Sequence, residues 1–326
     1  MLKQISLLIL CAVAIVLFAT PVQACTSAVV SGKVTPDGRP LLWKNRDTDF
    51  MRNHVDYVKG EKYDFIAVVN SANAYLKEAW MGTNSAGFAL MNTQSYNLMD
   101  VKGDEERGAA NGRVIYRALE VCATVEDFCH FLDTISKPSD IEANFGVIDA
   151  QGGAAMFEVD YYKYVMYDAN NPKDAPYGYI ARTNFSFAGK VNEGAGYVRY
   201  MEADQVLMKA SATGSITPQF IFNDLSRSFR NRMLDIDLRS GAYNRPQASG
   251  WFVDQDFIPR SSTSCSVVVQ GVKPGEKAEL TTMWTLLGYP PTGIAVPLWV
   301  KDAGKLLPGM VRFGKEHEAA PLSDWS

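Results

Sequence analysis

A cysteine stands where an apolar leader gives way to a strand-like run, and this junction constrains the chain more than any other feature. Residues 1–24 combine Lys3, a nearly unbroken apolar stretch over residues 5–19 and small residues just before Cys25. That order is typical of a signal peptide, and the apolar stretch is shorter than the ~18 residues that indicate a membrane span. Cleavage after Ala24 would make Cys25 the first residue of an exported protein.

The composition of the cleaved chain excludes several classes of protein. Its 326 − 24 = 302 residues fit one large domain over residues 25–326. Removing Lys3 leaves 31 basic against 36 acidic residues, a net charge of −5 with no basic cluster for nucleic acid. We therefore expect a small-molecule substrate, no nucleic acid, no transmembrane span and no metal or organic cofactor, in the periplasm or secreted; a homo-oligomer is left open.

Two kinds of hydrophobic pattern alternate along the chain. Strands are predicted at 25–33, 41–47, 63–69, 86–93, 145–149, 154–160, 164–168, 178–183, 262–271, 279–288 and 293–299. Helices are predicted at 111–122, at 124–136 and over about 197–232 with a break near Gly214. Blocks of strands interleaved with blocks of helices predict an α+β fold, in which helices cover the outer faces of stacked sheets.

The first two predicted strands determine which residues surround Cys25. Pro36, Asp37 and Gly38 supply turn chemistry between them. A hairpin folded about this turn would pair residues whose numbers sum to about 73–75, so that Cys25 would face roughly residues 48–50. The stretch RDTD would then arrive beside the new N-terminus.

A cysteine nucleophile needs a base, which is usually histidine. The three histidines, His54, His130 and His317, stand in contexts more typical of surface or helix packing. An N-terminal cysteine supplies its own base, because an α-amine with a pKa of about 7.7–8.0 accepts a proton near neutral pH. Arg46 would favour the thiolate, and Asp49 could hold the α-amine by a hydrogen bond.

Four motifs occur in an order that resembles a known family of enzymes. They are ACTSAVVSG at Cys25, KNRDTD on the second strand, GTNSAGFALMNT, and ARTNFS. The sequence resembles the choloylglycine hydrolase and penicillin V acylase family of N-terminal-nucleophile (Ntn) cysteine hydrolases, and the related acyl-coenzyme A:isopenicillin N acyltransferases. The resemblance covers essentially residues 25–326 and implies a four-layer αββα sandwich, with two stacked antiparallel sheets flanked by helices.

The resemblance also implies roles for particular residues. Cys25 is the nucleophile, and an oxyanion hole is formed by the backbone N–H of Asn92 and the side chain of Asn184. An arginine followed three residues later by an aspartate matches Arg46 and Asp49. The hairpin register does not choose between Asp47 and Asp49, and the family spacing favours Asp49. Arg199 is carried over from a stretch resembling SRFVR, of which it matches only the last arginine.

These observations predict an exported cysteine amidohydrolase. It would cleave linear, non-peptide C–N bonds of acylated amines through a thioester, on substrates such as N-acyl amino acids, bile-salt conjugates or penicillins. Two alternatives stay open at this point. The same acyl-enzyme could pass its acyl group to an amine, as an acyltransferase does, or Cys25 could be lipidated in a non-catalytic lipoprotein that binds ligands.

Overall fold

The computed structural model describes residues 24–99, 108–240, 254–313 and 319–325. The predicted signal peptide except Ala24 lies outside the described residues, and so does His317. Ala24 is still joined to Cys25, so the peptide bond that export would cut is part of the structure.

The described strands form two antiparallel sheets and one short hairpin. The strands are β1 Thr26–Val30, β2 Leu41–Asp47, β3 Asn53–Val58, β4 Phe65–Asn70, β5 Met81–Asn84, β6 Ala89–Gln94, β7 Ala143–Ile148, β8 Ala154–Val159, β9 Tyr164–Asp168, β10 Tyr179–Arg182, β11 Arg230–Asn231, β12 Ile236–Asp237, β13 Thr263–Gln270, β14 Thr282–Leu287 and β15 Val296–Leu298. One sheet has the order β10-β1-β2-β13-β14-β15, and the other runs from β3 to β9 in sequence order. β11 pairs with β12.

The helices lie outside the sheets. They are α1 Asn111–Val121, α2 Val125–Thr134, α3 Tyr197–Ser211, α4 Pro218–Phe220, α5 Ala303–Leu306 and α6 Pro321–Trp325, with a π-helical turn at Ile221–Leu225 and 3-10 turns at Gly32–Val34, Ser71–Leu76 and Ala278–Leu280. Thr124 caps α2, because its side chain accepts the N–H of Asp127 while the Asp127 carboxylate accepts the backbone N–H of Thr124. None of the helices in the described ranges is long and apolar enough to cross a membrane.

Three buried clusters show how the layers stack. One lies between the sheets and joins residues such as Val29 and Leu42 of the first sheet to Met91 of the second. A second fills the space between the second sheet and α1 and α2. A third joins the outer face of the first sheet to α3 and the turn after α4. The predicted four-layer αββα arrangement of an α+β fold is therefore confirmed.

The structure corrects three local predictions. Strands β3 and β5 are absent from the predicted set, since RNHVDYV and MGTN are too polar to indicate strands. The predicted 197–232 helical block ends at Leu225 and is followed by the short strand β11. The first hairpin has another register: Thr26 pairs with Asn45, so paired residue numbers sum to 71, and a 3-10 turn at Gly32–Val34 ends β1 early.

Candidate active site

Cys25 stands at the head of β1, at the end of the space between the two sheets. It is buried, its N–H donates a hydrogen bond of 2.9 Å to Asn184 Oδ1, and its Sγ lies 3.8 Å from the carbonyl oxygen of Asp47. Side chains alternate along a strand, so Cys25 shares a face with Val29, which packs between the sheets. The sulfur thus points inward, toward the second sheet.

The register of β1 on β2 brings two cations to the same face as the sulfur. Ser27 pairs with Lys44, and the next inward position of β2, Arg46, stands opposite Cys25. Both side chains are buried. Burial lowers the pKa of Lys44 and that of Arg46, while negative charge on Cys25 and Cys265 acts in the opposite direction. Both cations therefore lie on the same face of the strand pair as the Cys25 sulfur.

The partners of these two cations are neutral. Lys44 Nζ donates to Asn92 Oδ1 at 3.0 Å and to the carbonyl oxygen of Trp80 at 3.2 Å. Arg46 donates to the side-chain oxygens of Asn53 and Asn70, and its guanidinium lies 4.7 Å from the ring centre of Trp80. A buried cation held by dipoles rather than by a carboxylate leaves its charge to act on a nearby anion. The thiol groups of Cys25 and Cys265 are neighbours whose negative charge would act on both cations.

Asn184 and Arg199 fix the backbone around Cys25. Asn184 follows β10, which pairs with β1, and this pairing brings the two residues together. Arg199, on α3, is 1% exposed and donates to the carbonyl oxygen of Cys25 at 2.6 Å, to Thr26 Oγ1 at 2.8 Å and to Asn184 Oδ1 at 2.9 Å. Burial, and then the charge of Arg260, lower the pKa of Arg199 to about 10.

An ion pair that the sequence does not indicate lies on the other side of Cys25. Arg260 Nε donates to Asp47 Oδ2 at 2.8 Å, and Arg260 Nη2 donates to the carbonyl oxygen of Ala24 at 3.2 Å. Thr263 Oγ1 donates to Asp47 Oδ1 at 2.6 Å, because the register of β13 shifts between Thr263 and Cys265. Burial raises the pKa of Asp47, and the positive charge of Arg260 opposes this effect.

The structure corrects the preference for Asp49. Asp49 is exposed and lies beyond the end of β2, whereas Asp47 is 1% exposed and contacts Cys25 through its carbonyl oxygen. The reason is the register: Cys25 stands opposite Arg46, so Asp47 adjoins the site and Asp49 lies beyond it. Asp47 does not hold the Cys25 nitrogen either, since that contact belongs to Asn184.

The predicted site residues other than Asp49 come together. Cys25, Arg46, Asn184 and Arg199 contact or adjoin one another, and Asn92 joins them through Lys44. Asn184 Nδ2 donates to the carbonyl oxygen of Gln94 at 2.8 Å, and its Oδ1 faces Cys25. The oxyanion-hole roles of Asn92 and Asn184 stay predictions.

Sequence reasoning missed Lys44 and Arg260, and it named Asp47 only as the alternative to Asp49. A signal for Lys44 was present, because a lysine in the middle of LLWKNRD interrupts an otherwise buried strand. Arg260 carries no such signal, since it precedes β13 in a polar stretch far along the chain.

Among the described residues, no group of three or more His, Cys, Asp or Glu side chains could hold a metal ion. His54 is 2% exposed, its Nδ1 lies 3.0 Å from Ser71 Oγ, and it stacks edge-on with Phe313. His54 therefore has the surroundings of a packed core residue.

Sheets stacked between helices, with a cysteine at the head of the first strand, define an Ntn-hydrolase fold. The structure is similar to a variant of the conjugated bile acid hydrolase from Clostridium perfringens, with a TM-score of 0.51 and 12% identity over 85% of this chain and 93% of that chain. A family model described as acyl-coenzyme A:6-aminopenicillanic acid acyl-transferase matches residues 34–210, just over half of the sequence. The chain belongs to this family.

Other comparisons are weaker. The N-acylethanolamine-hydrolyzing acid amidase ortholog from Caenorhabditis elegans gives a TM-score of 0.47 and 16% identity over 75% of this chain and 92% of that chain. Penicillin V acylase from Agrobacterium tumefaciens gives a TM-score of 0.45 and 15% identity over 85% of this chain and 86% of that chain. No curated protein matches the sequence. Family membership and fold together support an enzyme that is broadly an amide hydrolase or an acyltransferase.

Proposed function

We propose that this chain is an exported cysteine amidohydrolase that cleaves linear, non-peptide C–N bonds of acylated amines through Cys25. The observation that carries the proposal is the hydrogen bond from the Cys25 nitrogen to Asn184 Oδ1, beside a sulfur that faces two buried cations. Once residues 1–24 are removed, that nitrogen becomes an α-amine, and Asn184 holds it beside its own thiol. Nucleophile and base then belong to one residue.

The first half of the reaction makes a thioester. The α-amine takes the proton of the Cys25 thiol, and Sγ bonds to the carbonyl carbon of the amide while the carbonyl π pair moves to oxygen. We assign the oxyanion to the backbone N–H of Asn92 and the side chain of Asn184, and each such donor typically contributes about 2.7–4 kcal/mol. Collapse of the oxyanion breaks the C–N bond, and the ammonium of Cys25 protonates the leaving amine.

The second half regenerates the enzyme. The α-amine takes a proton from water as the water oxygen attacks the thioester carbon, and the C–S bond then breaks to give the free acid and the thiol. Lys44 and Arg46 stabilise the sulfur when it carries negative charge, as nucleophile and as leaving group. No metal or organic cofactor is part of these steps.

Removal of the leader is a condition of activity. Ala24 is 2% exposed, and while it remains attached the Cys25 nitrogen is an amide without basic character. A signal peptidase could make the cut, or Cys25 could cut the bond itself. N-terminal sequencing of the wild type and of Cys25→Ala separates the routes, because unchanged cleavage in the variant contradicts self-processing.

Acyl transfer is the second candidate function, and the family description favours it. It uses the same thioester, with an amine in place of water. Incubating the enzyme with an acyl donor and a range of amines, and measuring the ratio of free acid to new amide, distinguishes the two. A hydrolase gives free acid throughout.

The lipoprotein alternative is disfavoured by burial. Cys25 is 6% exposed and its sulfur faces the space between the sheets, so a diacylglyceryl group on it would have to displace the packed interior. Mass spectrometry of the mature N-terminus tests this: we expect an unmodified Cys25, and a lipid adduct would end the catalytic proposal.

Substrate chemistry is tested by a hydrolysis panel. N-acyl amino acids, N-acyl ethanolamines, bile-salt conjugates, penicillins and acyl-homoserine lactones are offered to the mature protein, with Cys25→Ser alongside. We expect hydrolysis of at least one class by the wild type and a loss of that activity in the variant. Equal activity in both would contradict Cys25 as the nucleophile.

A further inference from the structure

Arg260 is a rigidly held, buried guanidinium whose Nη2 faces the residue that export removes. Its Nε donates to Asp47 at 2.8 Å and its Nη1 donates to the carbonyl oxygen of Gln255 at 2.9 Å. Its Nη2 donates to the carbonyl oxygen of Ala24 at 3.2 Å. Because Asp47 is itself held by Thr263, the direction of Nη2 is fixed independently of Ala24.

Cleavage after Ala24 removes the acceptor of this hydrogen bond. The Ala24 carbonyl carbon is bonded to the Cys25 nitrogen at about 1.3 Å. In the trimmed protein, the space that Ala24 leaves therefore adjoins the α-amine directly, and Arg260 Nη2 points into it.

The same space is where the leaving half of a substrate has to lie. The ammonium of Cys25 protonates the leaving nitrogen, so the two nitrogens come within about 2.6–3.2 Å of each other. Asn184 occupies one direction around the Cys25 nitrogen, and the direction formerly taken by Ala24 is open to the substrate. Groups attached to the leaving nitrogen are then within reach of Arg260.

The charge around this space is positive. Arg199 and Arg260 both adjoin the Cys25 backbone, and the charge of Arg260 adds to burial in lowering the pKa of Arg199. The acidic groups that act on Arg199 are Asp47, which is paired with Arg260, the Cys25 thiol and the exposed Asp256. Two buried guanidiniums facing one buried carboxylate favour the arrival of a further anion.

We propose that Arg260 is a specificity-determining residue that binds a carboxylate on the amine half of the substrate, which makes N-acyl amino acids the preferred substrate class. This inference rests on the proposed amidohydrolase function. A guanidinium binds a carboxylate through charge-assisted hydrogen bonds. A neutral amine half, such as that of an N-acyl ethanolamine, would leave the buried cation without the anion and would be discriminated against.

The test compares two substrates that differ only in this group. The acyl group that the hydrolysis panel identifies is attached to glycine and to glycinamide, and kcat/KM is measured with the mature protein. We expect the wild type to prefer the carboxylate roughly 10- to 100-fold, the range for a hydrogen bond to a charged partner. A wild type that cleaves both substrates equally well overturns the assignment without any variant.

Substitutions at Arg260 test whether this residue is the source of the preference for the carboxylate substrate. Arg260→Met combined with Asp47→Asn removes both charges of the pair, and we expect the ratio of the two kcat/KM values to fall to near one. Arg260→Lys keeps the charge and should retain part of the preference. A loss that is equal for both substrates would mean that Arg260 acts on a shared part of them, and would overturn the proposal.

Failure of the proposed function gives a different result. If the mature wild type cleaves no member of the panel, or if Cys25→Ser is as active as the wild type, the amidohydrolase proposal fails and this one falls with it. If N-acyl ethanolamines are cleaved by Cys25 but N-acyl amino acids are not, the amidohydrolase stands and the role of Arg260 is overturned.

Discussion

Lys44 Nζ donates a 3.0 Å hydrogen bond to Asn92 Oδ1, and this contact joins the strand beside Cys25 to the facing sheet. Lys44 is 3% exposed, and burial lowers its pKa. Burial therefore makes the charged form of Lys44 costly for the folded state. We infer that this cost is maintained because the charge acts on the sulfur of Cys25.

Lys44→Met should therefore raise stability while lowering reactivity. A lysine whose folded pKa is lowered costs stability fully below that pKa, and the cost disappears as pH rises to the ordinary value of 10.5. At pH 7 we expect the free energy of unfolding to rise by ~1–2 kcal/mol. Alkylation of Cys25 by iodoacetamide, followed by peptide mapping, should slow roughly tenfold.

The exposed Lys33 provides the matched control for Lys44, since its Nζ donates to a backbone carbonyl at the surface. Lys33→Met should leave both the unfolding midpoint and the alkylation rate close to those of the wild type. A Lys44→Met protein that reacts as fast as the wild type would show that this cation does not act on the thiolate.

Asn184→Asp should move the acid limb of the pH–rate profile. A carboxylate in place of Oδ1 would stabilise the ammonium form of the Cys25 α-amine, so the free base would form only at higher pH. We expect the acid limb of kcat/KM to shift upward by about one pH unit, together with a lower kcat/KM at every pH because the carboxylate also lacks the donor assigned to the oxyanion. Asn192→Asp, at an exposed position, is the control and should not shift the profile.

Asp47 and Asp49 give a direct comparison of a buried and an exposed carboxylate two residues apart. Asp47→Asn leaves Arg260 buried without its counter-ion, which typically costs ~3–5 kcal/mol. Asp49→Asn at the surface should change stability by less than ~0.5 kcal/mol. Urea unfolding of both variants measures this.

A third protein makes the Asp47 comparison sharper. Asp47→Asn combined with Arg260→Met removes both charges, and at least half of the lost stability should return. Greater damage from Asp49→Asn than from Asp47→Asn would contradict the strand register described above.

His54 should make stability depend on pH. Burial lowers its pKa from 6.5 to about 4, so the unfolded chain binds a proton that the folded state does not. The contribution of His54 to the free energy of unfolding is fully present above pH 6.5. It is lost as pH falls toward 4, with a slope of at most about 1.4 kcal/mol per pH unit. His54→Gln should remove that slope in unfolding curves, whereas His130→Gln, at an exposed position, should keep it.

The fold was predictable because its evidence is local. Alternating and continuous apolar runs located most strands, and Thr124 with Asp127 marked the start of a helix. The two strands of the second sheet that were missed, β3 and β5, are polar or short. Their place is set by pairing with neighbours in the second sheet, which a single sequence does not show.

The site residues that lie in sequence motifs were predictable, and the others were not. Cys25, Asn184 and Arg199 lie together as the resemblance implies. The prediction favoured Asp49 over Asp47 because a hairpin register that is wrong by two residues moves the site past the end of β2. Arg260 reaches Asp47 across 213 positions of the chain, and no local pattern encodes such a contact.

Trapping the acyl-enzyme tests the central claim most directly. The mature protein is mixed with a substrate from the panel, quenched in acid, and digested for peptide mass mapping. We predict an N-terminal peptide that begins at Cys25 and carries the acyl group as a thioester, absent from Cys25→Ser. A mature chain that begins at another residue, or an acyl group attached elsewhere, would contradict the account.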